Sequence, residues 1–203
     1  MNTNFSILKL SEERKKAITS CIEWSQNCPI SLDMLRQVNF QHYDFEGNIK
    51  SGVIIVHTVI ADKTLTLFKK LFKIKFPIHQ AIPIDEYKGS DIDSMKDNNT
   101  SGFNCRRVMG ENKWSSHAYG AAIDINPLQN PYVLINHNLA EAKIFPKNGT
   151  MFLNRSIQRD GMVESIVTIF KNNGFSIWGG DWNTVLDYHH FQISWDEINK
   201  IIS

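Results

Sequence analysis

Two short segments of this 203-residue chain hold side chains of the kinds that carry out hydrolysis. The first reads Ser115-Ser116-His117-Ala118-Tyr119-Gly120-Ala121-Ala122-Ile123-Asp124. The second reads Trp178-Gly179-Gly180-Asp181-Trp182 and, further on, Asp187-Tyr188-His189-His190-Phe191. Two imidazoles and one carboxylate suffice as protein ligands for catalytic zinc, with a fourth position left for water. Zinc lowers the pKa of such a water to roughly 7. A carboxylate beside it can take the proton and pass it to a leaving amine. Asp187, just before His190 in sequence, is the natural candidate for that task. A cation aimed at the carbonyl oxygen would stabilise the developing negative charge. Arg106 and Arg107 both stand shortly before the first segment.

The elements that must position these groups follow from their spacing. His117 and Asp124 are too far apart for an i, i+4 pair on one helix, and Gly120 lies between them. A turn at Gly120 followed by a strand would bring them together. Side chains alternate along a strand, so Ala122, Asp124 and Asn126 share one face, and Ala121, Ile123 and Ile125 the other. The same alternation puts His190, Gln192 and Ser194 on a polar face, with His189, Phe191 and Ile193 opposite. His190 is therefore expected to meet Asp124, and His189 to face apolar packing, provided the segment is extended. On residue types alone, a satisfied structural His–Asp pair is the commoner arrangement. His42, His57, His79 and His137 are read as structural. Trp178 and Trp182 can line a substrate groove, although buried aromatics are commoner.

The rest of the chain supplies a mixed scaffold. Residues 1–28 read as an N-terminal arm with a short helix around Glu12 to Trp24. Val38–Tyr43 and Gly52–His57 look like two strands, joined by the turn-rich Asp44–Asn48. Asp62 is expected to cap a helix in which Leu65, Phe68, Leu71 and Phe72 recur at helical spacing, closed by Pro77. Ile78–Ile84 is expected as a strand, and Asp85–Thr100 as a polar surface loop. Ala121–Asn126 reads as a strand broken by Pro127 and Pro131. The stretch from there to Asp160 shows no strong period and is expected to form a lid or wrapping loop. Met162, Ile166, Ile169 and Phe170 mark a further helix stopped at Gly174. Phe175–Trp178 and His189–Ile193 complete the list. Strands and helices mix without strict alternation, which predicts a compact α+β domain over residues 29–203, with a largely antiparallel sheet flanked by helices.

Composition narrows the function classes. Twenty-two basic residues against 21 acidic ones leave a net charge of +1, which offers no footprint for nucleic acid. Lys69, Lys70, Lys73 and Lys75 read as the wet face of a helix. No apolar run approaches the ~20 residues of a membrane span. Met1 to Lys16 carries charges where a signal peptide has its apolar stretch. Action outside the cytoplasm then requires a removed leader or another route, and a cytoplasmic site is the other option. Cys21 and Cys28 could bridge in an oxidising compartment, and unpaired thiols are an equal reading.

The pattern Ser115-x-His117-x-x-Gly120-x-Ala122-x-Asp124, followed by Asp187-x-x-His190-Phe191, resembles the VanY-like zinc D-alanyl-D-alanine carboxypeptidases. The same family includes VanX-type dipeptidases and phage L-alanyl-D-glutamate endolysins. Asn99–Arg106 and Asp124–Pro131 look like one bacterial branch of it, and the likeness runs from about Cys28 to Phe191. The resemblance implies one zinc ion held by His117, Asp124 and His190, with Asp187 as acid/base. It implies that Arg106, rather than Arg107, contacts the substrate carbonyl, and that Ser115 assists by hydrogen bonding. Trp178 joins Ser115 as a candidate substrate contact. The implied fold is the compact α+β architecture shared with the Hedgehog signalling domain. The implied substrates are peptidoglycan stem peptides or D-amino-acid dipeptides; an aspartate rather than a glutamate base is similar to the endolysin branch. Two other readings compete: a non-catalytic zinc-containing module that binds cell wall or protein, and a thiol hydrolase built on Cys105 and His117.

Overall fold

The computed structural model describes residues 5–21, 28–136 and 138–202. Ser6–Lys9 (β1), Leu35–Tyr43 (β2) and Ile49–His57 (β3) form an antiparallel sheet in the order β1-β2-β3. Glu12–Thr19 (α1) follows β1, and Thr58–Lys73 (α2) follows β3. Gln80–Ala81 (β4) pairs in parallel with Asn99–Thr100 (β5), and Asp91–Lys96 (α3) lies between them in sequence. Ala122–Asp124 (β6) belongs to a second antiparallel sheet. Tyr132–Asn136 (β7) and Asn138–Phe145 (β8) form a hairpin, and Val167–Lys171 (α4) follows. Ile177–Trp178 (β9), Val185–Asp187 (β10) and His190–Gln192 (β11) complete the sheets, in the orders β6-β11-β9 and β10-β7-β8. Trp195–Ile202 (α5) ends the described chain. The result is the expected α+β architecture, and every strand pair but β4–β5 is antiparallel. No helix among the described residues is long and apolar enough to cross a membrane.

One apolar cluster joins these layers. Val38, Phe40, Ile54 and Val56 of the first sheet share it with Leu67, Phe68 and Leu71 of α2, and with Ile123, Phe170 and Phe191. Phe40 stacks on Phe68 at 3.7 Å, and Phe170 on Phe191 at 3.8 Å. Burying a side chain of this size contributes roughly 1.5–3 kcal/mol. Phe191 therefore pins β11 with one face inward, which turns His190 to the opposite face. The exposed Lys69, Lys70, Lys73 and Lys75 lie outside this cluster, as the helical spacing requires.

Several local expectations are corrected. Helix α2 starts at Thr58 and is capped by His57, whose Nδ1 accepts from Val59 N at 3.2 Å, so Asp62 lies inside the helix. Only Gln80–Ala81 of the expected Ile78–Ile84 strand pairs. The polar segment after Asp85 contains α3, capped by the Ser90 hydroxyl. The stretch after Pro131 holds the β7–β8 hairpin; Val133, Leu134 and Ile135 run together in β7, and the alternation of Ala140, Ala142 and Ile144 with Glu141 and Lys143 in β8 is short and built largely on small residues, so the period-2 signal is weak. The helix near Met162 divides into a 3-10 turn at Val163–Ser165 and the short α4. Helix α5 had no counterpart in the sequence reading. Helix α1 ends at Thr19; its expected extension to Trp24 and the reading of His137 lie outside the described residues. β1, within the N-terminal segment, pairs with β2 from Ser6↔Asn39 to Lys9↔Arg36. Cys28 is disulfide-bonded to Cys105, with Cα atoms 5.9 Å apart, and Cys21 is the free thiol. Sequence proximity suggested Cys21 for Cys28; the fold instead brings Cys28 to a residue 77 positions away.

Candidate metal centre

The backbone brings the three ligands together in two moves. Ser115 caps a 3-10 turn at Ser116–Tyr119, its Oγ accepting from His117 N at 3.3 Å. Gly120 ends the turn with φ +63°, and a Cβ there would lie 2.6 Å from His57 N. That close approach allows His57 N to donate to Gly120 O at 2.8 Å, which ties the turn to the end of β3. The chain then enters β6, where Asp124 sits opposite His190 of β11.

The geometry is tight. His117 Nε2 lies 3.1 Å from Asp124 Oδ1 and 3.1 Å from His190 Nδ1, and His190 Nδ1 lies 3.0 Å from Asp124 Oδ1. All three residues are buried. His117 Nδ1 donates to Gly102 O at 2.6 Å, which leaves the Nε2 lone pair facing inward. His190 Nε2 is 2.9 Å from Gln192 Oε1, and Gln192 Nε2 donates to Ile193 O at 3.3 Å. That orientation makes His190 Nε2 the donor and turns the Nδ1 lone pair inward. Three electron-rich atoms thus converge, an arrangement that repels itself unless positive charge lies among them. Outer hydrogen bonds of this kind fix the tautomers of metal-ligating histidines. The cluster can hold a metal ion.

The titration directions agree. Burial opposes charge on Asp124, but His117 and His189 outweigh it and hold the carboxyl well below the usual carboxylate range. Burial also opposes charge on His190, and the neighbouring Asp124 carboxylate, which favours a protonated ring, outweighs that and raises its pKa. Both shifts mean that the site favours positive charge.

His189 corrects the face assignment. His190 meets Asp124 as expected, but His189 does not face apolar packing. Strand β11 begins at His190, so His189 lies in a turn where alternation does not apply. Its Nδ1 is 2.7 Å from Asn130 O, and its Nε2 is 2.9 Å from Asp187 Oδ1 and 3.8 Å from Asp124 Oδ2. Burial lowers its pKa, and the carboxylates of Asp187 and Asp124 outweigh this and push it up to about 10.

A cavity of about 330 Å³ opens beside the cluster. It is lined by His117, His190, Asp187, Arg106 and Ser115, and also by Tyr132 and Trp182. This volume is at the lower end of small-ligand pockets. Arg106 Nη2 pairs with Asp91 Oδ2 at 3.0 Å, and its buried Nε has no hydrogen-bond partner among the described residues. Arg107 is exposed and stacks on the Trp114 ring at 3.9 Å. Trp182 has its ring 5.4 Å from His190. Trp178 is placed elsewhere: it lies parallel to Phe191 at the edge of the core, its Nε1 donating to Tyr188 O at 2.9 Å. Asp91 and Tyr132 escaped the sequence reading. Asp91 lay in a segment read as loop, and Tyr132, opposite Asp187 in register, in one without a period.

The fold and site define an α+β domain with a buried His–Asp–His cluster, able to hold a metal, at the wall of a cavity. Residues 109–193 match the family model described as D-alanyl-D-alanine carboxypeptidase, which bears out the resemblance over that segment and supports a peptidase. The matched segment contains His117, Asp124, Asp187 and His190, while Arg106 lies just before it. No curated protein and no solved structure gives a match.

Proposed function

We propose that this chain is a zinc-dependent peptidase that hydrolyses peptide bonds next to D-amino acids in peptidoglycan stem peptides. The reading covers D-Ala-D-Ala carboxypeptidase and L-Ala-D-Glu endopeptidase action. The observation that carries it is the convergence of His117 Nε2, Asp124 Oδ1 and His190 Nδ1 beside a cavity also lined by Asp187 and Arg106. Two imidazoles and a carboxylate suit zinc, which when bound supplies Lewis acidity for water and for the peptide carbonyl.

The chain's own residues account for the remaining tasks. Asp187 takes the proton of the attacking water and returns it to the leaving amine. Arg106, held by Asp91, stabilises the charge that develops on the carbonyl oxygen. Ser115 lines the same cavity, where it contributes to substrate contact, and Trp182 replaces Trp178 as the aromatic wall.

The test is mass spectrometry of products after zinc-loaded protein is incubated with purified stem peptides, alongside a chelated control. Chelator-sensitive products are expected, and their masses identify the bond cut. Asp187→Ala is expected to cut turnover by about 10²–10⁴-fold with zinc retained. A zinc-holding wild type that yields no product would overturn the reading in favour of a binding module.

A further inference from the structure

Two histidines precede Phe191, and the metal set uses only the second. The first is held at both ends. Asn130 O can only accept, so His189 Nδ1, 2.7 Å away, carries a hydrogen and donates it. Asn130 is itself fully buried and immobilised. Its Nδ2 donates to the carbonyls of Ile125, Asn126 and Gly161 at 3.1, 3.1 and 2.8 Å. Its Oδ1 accepts from Arg155 Nη2 at 2.8 Å and from Val163 N at 3.0 Å. A ring anchored on so fixed a carbonyl has its other nitrogen aimed in one direction. That nitrogen lies at ion-pair distance, 2.9 Å, from Asp187 Oδ1, a buried oxygen that no other group among the described residues hydrogen-bonds.

Resting on the peptidase reading of Asp187, we propose that His189 is a positioning residue that fixes the Asp187 carboxylate beside the metal centre. It acts on the proton-transfer step through Asp187, not on metal or substrate binding. The rigid line runs from Arg155 through Asn130 to His189 and ends at Asp187. An aspartate at the end of a strand has side-chain freedom that a proton carrier must lose to stay in line with its water. His189 removes that freedom for one carboxylate oxygen and leaves the other available for the proton.

The experiment measures kcat and KM on a stem pentapeptide ending in D-Ala-D-Ala, with zinc counted per chain. It uses wild type, His189→Leu, His189→Gln, Asp187→Asn, and each His189 variant combined with Asp187→Asn. His189→Leu is expected to lower kcat about 10- to 100-fold, the range seen when outer partners of such sites are removed. KM and zinc content are expected to stay unchanged. His189→Gln, which keeps a donor for Asp187, is expected to restore part of the loss. The combined variants are expected to be no slower than Asp187→Asn alone, because both changes disable one unit. Zinc loss, a wild-type rate in His189→Leu, or losses that multiply in the combined variants would each overturn the proposal. If His189→Leu fails to fold, the His189→Gln pair gives the same additivity test. No cleavage by zinc-loaded wild type overturns the peptidase reading and this proposal together.

Discussion

His190 Nδ1 and Asp124 Oδ1 stand 3.0 Å apart on paired strands, with the residues directly opposite in register. Both are acceptors once the His190 Nε2 hydrogen is committed to Gln192. Their closeness makes metal binding a stabilising event, since a ligand that binds only the folded state shifts the unfolding equilibrium by mass action. Chelation is expected to lower Tm, and stoichiometric zinc to restore it. The gain is about 2.7 kcal/mol at a free zinc concentration 100 times the Kd. His117→Ala and His190→Ala are expected to abolish the zinc-induced shift in scanning calorimetry. A shift that survives in either variant would place the metal elsewhere.

The metal-free protein should show a pH signature of the same charge imbalance. The folded-state pKa of His189 is raised from 6.5 to about 10, so its contribution to stability is complete below about 6.5 and is lost as pH rises toward about 10. Asp124 has the opposite sign: its depressed value contributes stability above 3.8, which disappears as pH falls through the lower folded value. Chelated protein is therefore expected to lose Tm from pH 6.5 to 10. Zinc affinity should rise across neutral pH, because zinc displaces protons from His190. Calorimetry of chelated protein across this window checks the first point, and a rising Tm would refute it.

How much of this was legible in the sequence depended on whether local pattern or long-range closure decided each feature. Asp124 and His190 were readable because each lies on a short strand whose other face is apolar, through Ile123 and Phe191. His189 was misread because period-2 alternation stops at the strand boundary, one residue too early. Asp91 became a partner of Arg106 only through the packing of α3, which no short-range pattern encodes. Trp178 and Trp182 flank the same glycine turn, and sequence alone could not say which ring the core would claim. The Cys28–Cys105 bond likewise closes across 77 positions, beyond the reach of spacing arguments.

That disulfide ties the chain just after α1 to the residue preceding Arg106. Closing a long loop constrains the unfolded chain, with a typical stabilisation of about 2–4 kcal/mol. Cys28→Ser with Cys105→Ser is expected to lower stability by that amount in urea unfolding. Cys21→Ser is expected to have little effect, and equal losses from both would sink the assigned pairing.

Gly179 tests the placement of Asp187 without touching its carboxylate. A Cβ at position 179 would lie 2.5 Å from Asp187 O and 2.8 Å from Asp187 Cβ. Backbone cannot yield as a flexible side chain does, so β10 must move. Overpacking of this kind costs about 1–3 kcal/mol. Gly179→Ala is expected to cut kcat by at least about tenfold, since small displacements of catalytic groups are costly, with zinc still bound. Unchanged kcat in a stable Gly179→Ala protein would show that the position of Asp187 is not critical.

The two neighbouring arginines separate cleanly by environment. Arg106 lines the cavity and is oriented by Asp91, whereas Arg107 stacks on Trp114 in an exposed position. Losing a donor that stabilises an oxyanion costs on the order of 100-fold in kcat. Arg106→Ala is expected to show that loss, while Arg107→Ala should leave kcat unchanged. Arg106→Lys keeps the charge but not the planar fork that Asp91 grips, so it should recover only part of the rate. Asp91→Asn, which keeps the shape and removes the charge, should weaken the orientation of Arg106 and fall between wild type and Arg106→Ala. Steady-state kinetics of the four variants on one stem peptide decide the matter. Equal losses at Arg106 and Arg107 would mean that the electrostatic contribution comes from the basic segment as a whole, not from the one guanidinium that Asp91 aims.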